Sequence, residues 1–272
     1  MEPWKERTNI LLGEERIAKL QNATVAVIGL GGVGAFAAEM VCRAGVGTMI
    51  ILDSDTVNIT NKNRQLVALD STIGKLKTEV MAERLKDINP NLNLTVITQY
   101  IDEGNIDNIL GEHVGKTDFL IDAIDTLTPK IELIKFCVRN KIKHVSSMGA
   151  GAKFDATAIK IADLSKSFNC PLAYILRKKL RKEGISKGFK VVFSEELPDR
   201  NAIIPMEERN KKSQVGTNIL PARIIRYCLR TGCNNKYTFS VGRFLLILYA
   251  FQQSKRLLAK SCKPYTDCLN TI

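Results

Sequence analysis

The sequence lacks the features that identify several common protein classes. Its longest apolar run, residues 244–251, has eight residues, well short of the roughly 20 that cross a bilayer. The first 20 residues mix charged with apolar side chains and contain no continuous apolar core of a secretory signal. Seven cysteines are scattered without one Cys-x-x-Cys pair, which argues against a disulfide framework and a paired-thiolate zinc site. We therefore expect a globular protein with reduced thiols and no membrane partner, located in the cytoplasm or an organelle matrix.

Acidic residues are scarce in the second half of the chain. Residues 1–150 carry 17 Lys and Arg against 19 Asp and Glu, whereas residues 151–272 carry 23 against 9. The whole positive excess of the protein therefore lies after residue 150, which indicates a polyanionic partner, nucleic acid before an anionic membrane. The alternative is a lysine-rich solvated surface, because the basic cluster at 177–182 also suits an exposed helix face.

Apolar runs typical of strands alternate with helical patterns in the first half. Strands are predicted at residues 24–28, 49–52, 94–97, 119–121 and 144–147. Helices are predicted at residues 34–44, 74–88 and 130–140. This alternation predicts an α/β fold with a doubly wound, Rossmann-like, mainly parallel sheet. Its ligand crevice should form where the glycine loop, Asp53 and the segment 122–125 end neighbouring strands.

The second half follows a looser pattern. A short strand is predicted near residues 158–161, a basic helix at 171–182, a strand at 189–193 and then a polar loop to about residue 214. We interpret residues 1–217 as one α/β domain. Residues 218–272, which hold four cysteines and a single acid, are interpreted as an atypical basic C-terminal extension.

A glycine loop follows the first predicted strand. Gly29, Gly31 and Gly34 form the pattern G-x-G-x-x-G, with Gly32 inside it, directly before a predicted helix. In that context backbone N–H groups and the helix dipole bind phosphate. Asp53 follows 19 residues after Gly34, at the end of the second strand, where a carboxylate can accept hydrogen bonds from ribose hydroxyls. A nicotinamide dehydrogenase fits these features as well as any other nucleotide-binding enzyme.

The polar stretch after that acid distinguishes the alternatives. It supplies five candidate ligands of a nucleotide, namely Asp55, Asn61, Asn63, Arg64 and Gln65. A dehydrogenase has no need of this group just beyond the ribose. Amides and a guanidinium can hold the triphosphate of ATP and offset the charge that develops as pyrophosphate leaves. The stretch therefore favours nucleotidyl transfer.

Several motifs together resemble the ThiF/MoeB/E1-like superfamily of ATP-dependent enzymes that adenylate carboxylates. They are "RTNILLG" (7–13), the glycine loop, "NKNRQ" (61–65), "IGKLK" (73–77) and "DAIDT" (122–126). The resemblance implies the doubly wound fold, with ATP and Mg²⁺ as cofactors. It also implies a homodimer and leaves room for a sulfur-relay protein as a further partner.

The resemblance also implies roles for four residues. Arg7 would reach ATP in the partner subunit's site, Arg64 would bind phosphate, and Lys77 would lie near the α-phosphate. Asp125 would be associated with Mg²⁺ and the adenylate. The alternatives are a surface charge for Arg7 and an ordinary exposed helix residue for Lys77. Asp122 is interpreted as the residue that closes a strand and caps the next helix.

Within the superfamily the chain resembles the tRNA threonylcarbamoyladenosine dehydratase branch. The resemblance rests on "TNKNRQ" (60–65), "INPN" (88–91), residues 119–142, residues 149–167, "CPLA" (170–173) and "VVFSEE" (191–196). It implies adenylation of the threonyl carboxylate of the modified adenosine in tRNA, followed by ring closure with net loss of water. The basic second half would then bind tRNA phosphates.

Two other hypotheses about the function are compatible with the sequence. The first is an enzyme that adenylates the C-terminus of a ubiquitin-like or sulfur-carrier protein, against which the absence of zinc-binding cysteine pairs counts. The second is a nicotinamide oxidoreductase or a non-catalytic nucleotide-binding adaptor.

Overall fold

The structure, a computed structural model, describes residues 2–208 and 211–217 of the 272-residue chain. The basic extension predicted at residues 218–272 lies outside the described residues. No helix in the described part is long and apolar enough to span a bilayer.

A mainly parallel sheet forms the centre of the fold. Its strands are β1 (Thr24–Ile28), β2 (Thr48–Leu52), β3 (Asn93–Ile97), β4 (Phe119–Asp122), β5 (His144–Ser147), β6 (Ile159–Asp163) and β7 (Lys190–Ser194). Their spatial order is β3-β2-β1-β4-β5-β7-β6, with only β6 antiparallel to its neighbour. This topology confirms the doubly wound α/β fold. The strand order reverses between β1 and β4, which is where ligands bind in such sheets.

Helices cover both faces of the sheet. They are α1 (Glu6–Leu12), α2 (Glu14–Gln21), α3 (Gly34–Arg43), α4 (Lys77–Ile88), α5 (Ile106–Leu110), α6 (Leu127–Arg139) and α7 (Pro171–Lys182). Side chains alternate along each strand, so Val27 joins the core on the side of α3 and α4, whereas Ile28 joins the core on the side of α5 and α6. Burial on both faces explains the almost continuous apolar sequences of β1 and β2.

Two helices begin elsewhere than the sequence pattern predicts. The helix predicted from residue 74 begins at Lys77, because Gly74 has a positive φ of 84° and Leu76 forms a β-bridge with Thr56. The helix predicted from residue 130 begins already at Leu127. It includes Pro129 in its first turn, where a missing backbone N–H breaks no helical hydrogen bond.

The polar loop predicted up to residue 214 is wrong. This segment contains an antiparallel hairpin of β8 (Ile203–Glu208) and β9 (Lys211–Val215). Its sequence "IIPMEERNKKSQV" hides the strands, because charged residues interrupt the apolar alternation and Pro205 is a residue that strands tolerate mainly at edges. The hairpin ends beside the carboxyl edge of the main sheet.

Candidate functional site

Three segments meet at the carboxyl ends of β1, β2 and β4. A Cβ atom on Gly29 would lie 2.9 Å from the carbonyl carbon and oxygen of Ala123, just after β4. The backbone N–H of Leu30 donates to Oδ2 of Asp53 at 2.6 Å, just after β2. The glycine loop, Asp53 and the segment after β4 therefore form one crevice, as the sequence pattern predicts.

The glycine loop packs without room for side chains. Gly29 has a positive φ of 91°, and a Cβ on Gly34 would lie only 1.7 Å from the Gly29 carbonyl oxygen. The absence of a side chain at Gly34 lets the first turn of α3 pack directly against the loop. Positions Gly31 and Gly32 leave the backbone bare beside two side chains, since a Cβ there would lie 3.8 Å from Gln65 Nε2 and 3.3 Å from Arg64 Cγ, respectively. A bare backbone at a helix N-terminus is suited to phosphate.

Asp53 is a buried carboxylate with fixed hydrogen bonds. Its exposed fraction is 9%, and its two oxygens accept the N–H groups of Leu30 and Asp55 at 2.6 and 2.8 Å. Burial raises the pKa of Asp53, and the ammonium of Lys77, 4.0 Å from Oδ1, acts in the opposite direction. These bonds hold the carboxylate in place at the end of β2, where it was predicted to bind ribose.

Lys77 is the first residue of α4 and is directed into the crevice. Its Nζ lies 2.6 Å from Oδ2 of Asp55, and the residue is only 5% exposed. The alternative of an ordinary exposed helix residue is therefore wrong. Two carboxylates, Asp53 and the exposed Asp55, hold the ammonium beside the glycine loop.

Arg64 lies within electrostatic range of Asp125. Burial lowers the pKa of the half-buried Arg64 guanidinium, and the carboxylate of Asp125 opposes that shift. Nη1 of Arg64 donates to the Thr60 carbonyl at 3.2 Å and to Oδ1 of Asn63 at 2.8 Å. Asp125 is exposed and follows β4. The Arg64 side chain thus lies beside the glycine loop, and the Asp125 carboxylate interacts with its charge.

The three predicted amide ligands differ in their contacts. Asn61 Oδ1 accepts the N–H of Asn58 at 3.1 Å and closes a turn. Asn63 Nδ2 donates to the Thr217 carbonyl at 3.1 Å. Gln65 is 9% exposed, and its Oε1 is buried without a hydrogen-bond partner. Asn61 and Asn63 therefore shape the loop that carries Arg64, and Gln65 packs beneath the glycine backbone.

Residues 215–217, here called the strap, join the hairpin to the crevice. The N–H of Ala152 donates to the Gly216 carbonyl at 2.8 Å, and the N–H of Gly216 donates to the Ala202 carbonyl at 2.7 Å. Val215 occupies the space beside Gly151, where a Cβ would lie 2.5 Å from Val215 Cγ1. Through Thr217 and Asn63 the strap continues to Arg64. The sequence offers no signal for this link, because the partners are far apart along the chain.

A buried ion pair lies under Asp125 and was missed by the sequence analysis. Asp122 and Lys130 both have fully buried side chains, with Nζ 2.8 Å from the carboxylate. Ser146 Oγ donates to Asp122, and Lys130 also donates to the Ile124 carbonyl at 2.8 Å. The pair fixes the turn that presents Asp125. Lys130 could have been found from the sequence, since it stands on the apolar face of α6.

Asp122 closes β4 as expected, but it does not cap the next helix. Its Oδ1 accepts the N–H of Ile124 at 3.1 Å, in the turn before α6. The residue at the N-cap position of α6 is Thr126, whose side chain makes no capping hydrogen bond.

Arg7 lies on α1, away from these contacts. It is exposed and forms no hydrogen bond or ion pair with the described residues. Ile10 and Leu11, on the same helix, are 78% and 41% exposed. The role of Arg7 in a partner's site stays a prediction.

The described cysteines offer no reactive thiolate or metal centre. Cys42, Cys137 and Cys170 are buried, and no group of three potential metal ligands among His, Cys, Asp and Glu occurs in the described residues. Burial raises the pKa of Cys42 to about 11 and raises that of Cys137 further. A buried thiol with a raised pKa is inert as a nucleophile.

Comparisons with known proteins agree with this geometry. The sequence matches the ThiF family over residues 6–259. It is 45% identical over 192 residues to the tRNA threonylcarbamoyladenosine dehydratase of Bacillus subtilis, covering 71% of this chain and 74% of that protein. It is 41% identical over 191 residues to the Escherichia coli enzyme of the same name, covering 69% and 70%.

Solved structures give the same result. The crystal structure of the E. coli tRNA N6-threonylcarbamoyladenosine dehydratase with AMP has a TM-score of 0.76 and 32% identity, covering 93% of this chain and 98% of that one. Its complex with ATP has a TM-score of 0.73 and 31% identity, covering 96% and 99%. A more distant relative is the E. coli molybdopterin-synthase adenylyltransferase, 29% identical over 151 residues, covering 56% and 59%.

Proposed function

Because this chain belongs to the ThiF family, we propose that it is an ATP-dependent tRNA threonylcarbamoyladenosine dehydratase. The observation that carries this proposal is the crevice in which Asp53, Lys77 and Arg64 lie beside a bare glycine backbone. The relatives that share about two fifths of its residues carry the name of that enzyme, and one of them was crystallised with ATP and AMP. We propose the cytoplasm as its place of action.

The first step forms an acyl adenylate. The threonyl carboxylate of the modified adenosine attacks the α-phosphorus of ATP, a P–O bond forms, and pyrophosphate leaves with the electrons of the bond that breaks. The Asp53 carboxylate accepts hydrogen bonds from the ribose hydroxyls. Arg64 and Lys77 supply fixed positive charge beside the phosphates, which stabilises the charge that develops as pyrophosphate departs.

Mg²⁺ fits the donors in this crevice. The ion usually binds one or two carboxylates together with substrate phosphates rather than a cage made of protein alone. Asp125 is an exposed carboxylate after β4, so it could bind the ion together with substrate phosphates and water. When bound there by Asp125, Mg²⁺ neutralises phosphate charge.

The second step closes a ring. The ureido group of the substrate attacks the activated carbonyl, a proton is released, and AMP leaves, so the nucleoside has lost one water in total. The attacking group is already tethered to the carbonyl, and such tethering gives high effective concentrations. No enzyme nucleophile is needed, which agrees with the raised thiol pKa values of Cys42 and Cys137.

The experiment that tests the function uses tRNA with and without the threonylcarbamoyl group. The protein is incubated with MgATP and each tRNA, and the digested nucleosides are analysed by mass spectrometry. We expect a loss of one water from the threonylcarbamoyl nucleoside and release of AMP and pyrophosphate. Adenylation of a sulfur-carrier C-terminus without any change in the nucleoside would favour the adenylyltransferase reading, and binding of NAD with no response to ATP would favour an oxidoreductase.

A homodimer in which Arg7 completes the partner's site is part of the proposal. It is supported by three exposed apolar side chains near Arg7 in the chain, namely Ile10 and Leu11 on α1 and Trp4 just before it. The test mixes two inactive variants, Arg7→Ala and Asp125→Ala, after subunit exchange. A heterodimer has one intact site, so activity returns to about a quarter of that of the unmodified protein in a random mixture of symmetric dimers. A mixture that stays inactive although heterodimers form, or a monomer by light scattering, contradicts the proposal.

The partners we propose are tRNA and a second copy of the chain. A sulfur-relay protein stays a prediction of the family resemblance.

A further inference from the structure

Helix α7 presents a basic surface to solvent. Its buried face consists of Ala173, Leu176 and Leu180, which pack in a core cluster with α6 and β7. The opposite face carries exposed cationic side chains, here called the α7 basic face: Lys178, Lys179, Arg181 and Lys182.

These four cations have no acidic partners in the described part of the chain. None of them forms a hydrogen bond or ion pair there. Some exposed cations elsewhere do so, since Lys19 pairs with Glu15, Arg43 with Glu39 and Lys62 with Asp70. Four adjacent like charges repel one another. Because no described carboxylate neutralises them, this helix surface favours the binding of a polyanion. Unpaired exposed cations occur elsewhere in the described residues too, for example Arg7, but on α7 four of them share one face of a single helix.

The helix runs from the catalytic edge of the sheet toward the opposite edge. Before its first turn, Cys170 Sγ lies 3.7 Å from the position of a Cβ on Gly149, which follows β5. At the same level the carbonyl of Asn169 accepts a hydrogen bond from Lys153, which also bonds to the Ser194 carbonyl at the end of β7. The 12 residues of α7 span about 18 Å at 1.5 Å per residue. A polyanion lying along α7 can therefore have one end near the nucleotide crevice.

We propose that the α7 basic face binds the phosphate backbone of the substrate tRNA and so positions the modified nucleotide at the crevice. This assignment rests on the proposed function. Lysine and arginine contacts to phosphates supply affinity that is independent of base sequence and depends strongly on salt. Tyr174, 62% exposed in the first turn, presents a ring at the end of the face nearest the crevice, where an unstacked base can lie against it.

An anionic membrane is the less favoured partner. A helix that lies on a bilayer needs a continuous apolar face beneath its cations. In α7 the apolar residues Ala173, Leu176 and Leu180 are buried in the protein. Tyr174 and Ile175 alone remain exposed on its outer side, which is too little for insertion.

The test reverses two charges on the face and two elsewhere. The test variant is Lys178→Glu with Lys182→Glu. The matched control is Lys116→Glu with Lys143→Glu, because both lysines are exposed, lie before β4 and β5 at the opposite edge of the sheet, and change the net charge equally. Binding of fluorescently labelled tRNA is measured by anisotropy over a range of salt concentrations, and dehydratase kinetics are measured on the same proteins.

We expect the test variant to lose affinity for tRNA about tenfold or more, with its salt slope reduced by about two, whereas the control keeps nearly the affinity of the unmodified protein. The KM for tRNA rises, and kcat at saturating tRNA and the KM for ATP stay unchanged. Equal losses in test variant and control overturn the proposal. So does a test variant that loses binding to phosphatidylserine vesicles but keeps its affinity for tRNA.

The two failures can be told apart. If tRNA binding depends on the face but no nucleoside loses water, the docking assignment holds and the proposed function fails. If the nucleoside loses water and the test variant binds tRNA normally, the function holds and the docking assignment fails.

Discussion

The nucleotide crevice and the α7 basic face use positive charge in opposite ways. In the crevice each cation has a carboxylate in electrostatic range, since Lys77 contacts Asp55 and the charge of Asp125 acts on Arg64. Along α7 the cations have no described carboxylate partners. An ion pair fixes the position and direction of a charged side chain, as a reaction requires. Unpaired surface charges instead contribute affinity for a charged ligand and tolerate small displacements of that ligand. The same residue types therefore serve chemistry in one region and docking in the other.

The largest effect is expected in the crevice, where geometry matters most. Arg64→Ala and Asp125→Ala should each lower kcat/KM by about 10³-fold, because a fixed charge next to a developing one contributes roughly 4 kcal/mol. Pyrophosphate release that depends on tRNA gives the measurement. Lys62→Ala is the matched control, since Lys62 lies in the same loop and pairs only with the exposed Asp70. Turnover like that of the control would refute the assigned roles, provided that circular dichroism shows an intact fold.

The next effect concerns the ion pair below the crevice. Lys130→Met should lower the free energy of unfolding by about 3–5 kcal/mol, because it leaves the Asp122 carboxylate buried and unpaired. The double variant with Asp122→Asn should recover part of that loss, since no buried charge remains. Denaturant unfolding measures both. A loss below about 1 kcal/mol, typical of surface pairs, would show that the pair does not support the turn.

In the unmodified enzyme, ionic strength should affect the α7 basic face more strongly than the nucleotide crevice. Raising the salt concentration from 50 to 200 mM should raise the KM for tRNA by about tenfold or more, since several phosphate contacts are screened and counterion release is weakened. The KM for ATP should change much less, because the crevice cations are half-buried or buried and paired. Steady-state kinetics at several salt concentrations test this. Equal changes in the KM for tRNA and the KM for ATP would contradict the distinction between the fixed charges of the crevice and the docking charges of the α7 basic face.

The smallest effect is a gain in stability at the start of α7. Cys170 is the N-cap residue and makes no capping hydrogen bond. The neighbouring Lys153 is buried, burial lowers its pKa, and its ammonium bonds only to two carbonyls. Cys170→Asp should add about 1 kcal/mol, because a carboxylate caps the helix and faces that ammonium. Thermal unfolding measures the change, and Cys170→Ala, which adds no acceptor, is the control. A test variant no more stable than this control contradicts the argument.

The sequence predicted the sheet well for identifiable reasons. β1 and β5 have the predicted bounds, and β1 shows the short apolar run that is typical of a buried parallel strand. α7 also has its predicted bounds, because Pro171 marks its first turn and a helical apolar stripe follows. The hairpin of β8 and β9 was missed because its polar strands resemble a loop.

The candidate site was predictable where it depends on neighbours in the chain and not where it depends on distant partners. The glycine loop and Asp53 follow from spacing and strand order, and Arg64 follows from the polar stretch after Asp53 and from the family resemblance. The strap bonds Thr217 to Asn63 across 154 positions, and the fully buried pair of Asp122 and Lys130 joins a strand end to a helix. Contacts of this kind appear only after the chain has folded.

Helix α3 and the loop before it pack so closely that position 34 has no room for a side chain. A methyl group on Gly34 would lie 1.7 Å from the Gly29 carbonyl oxygen, a distance that no side-chain rotation can relieve. Any side chain at position 34 would therefore force the loop and the helix apart. Substitutions can therefore change the crevice at exposed positions such as Asn63 and Asp125. The positions of Gly29 and Gly34 leave no room for a side chain.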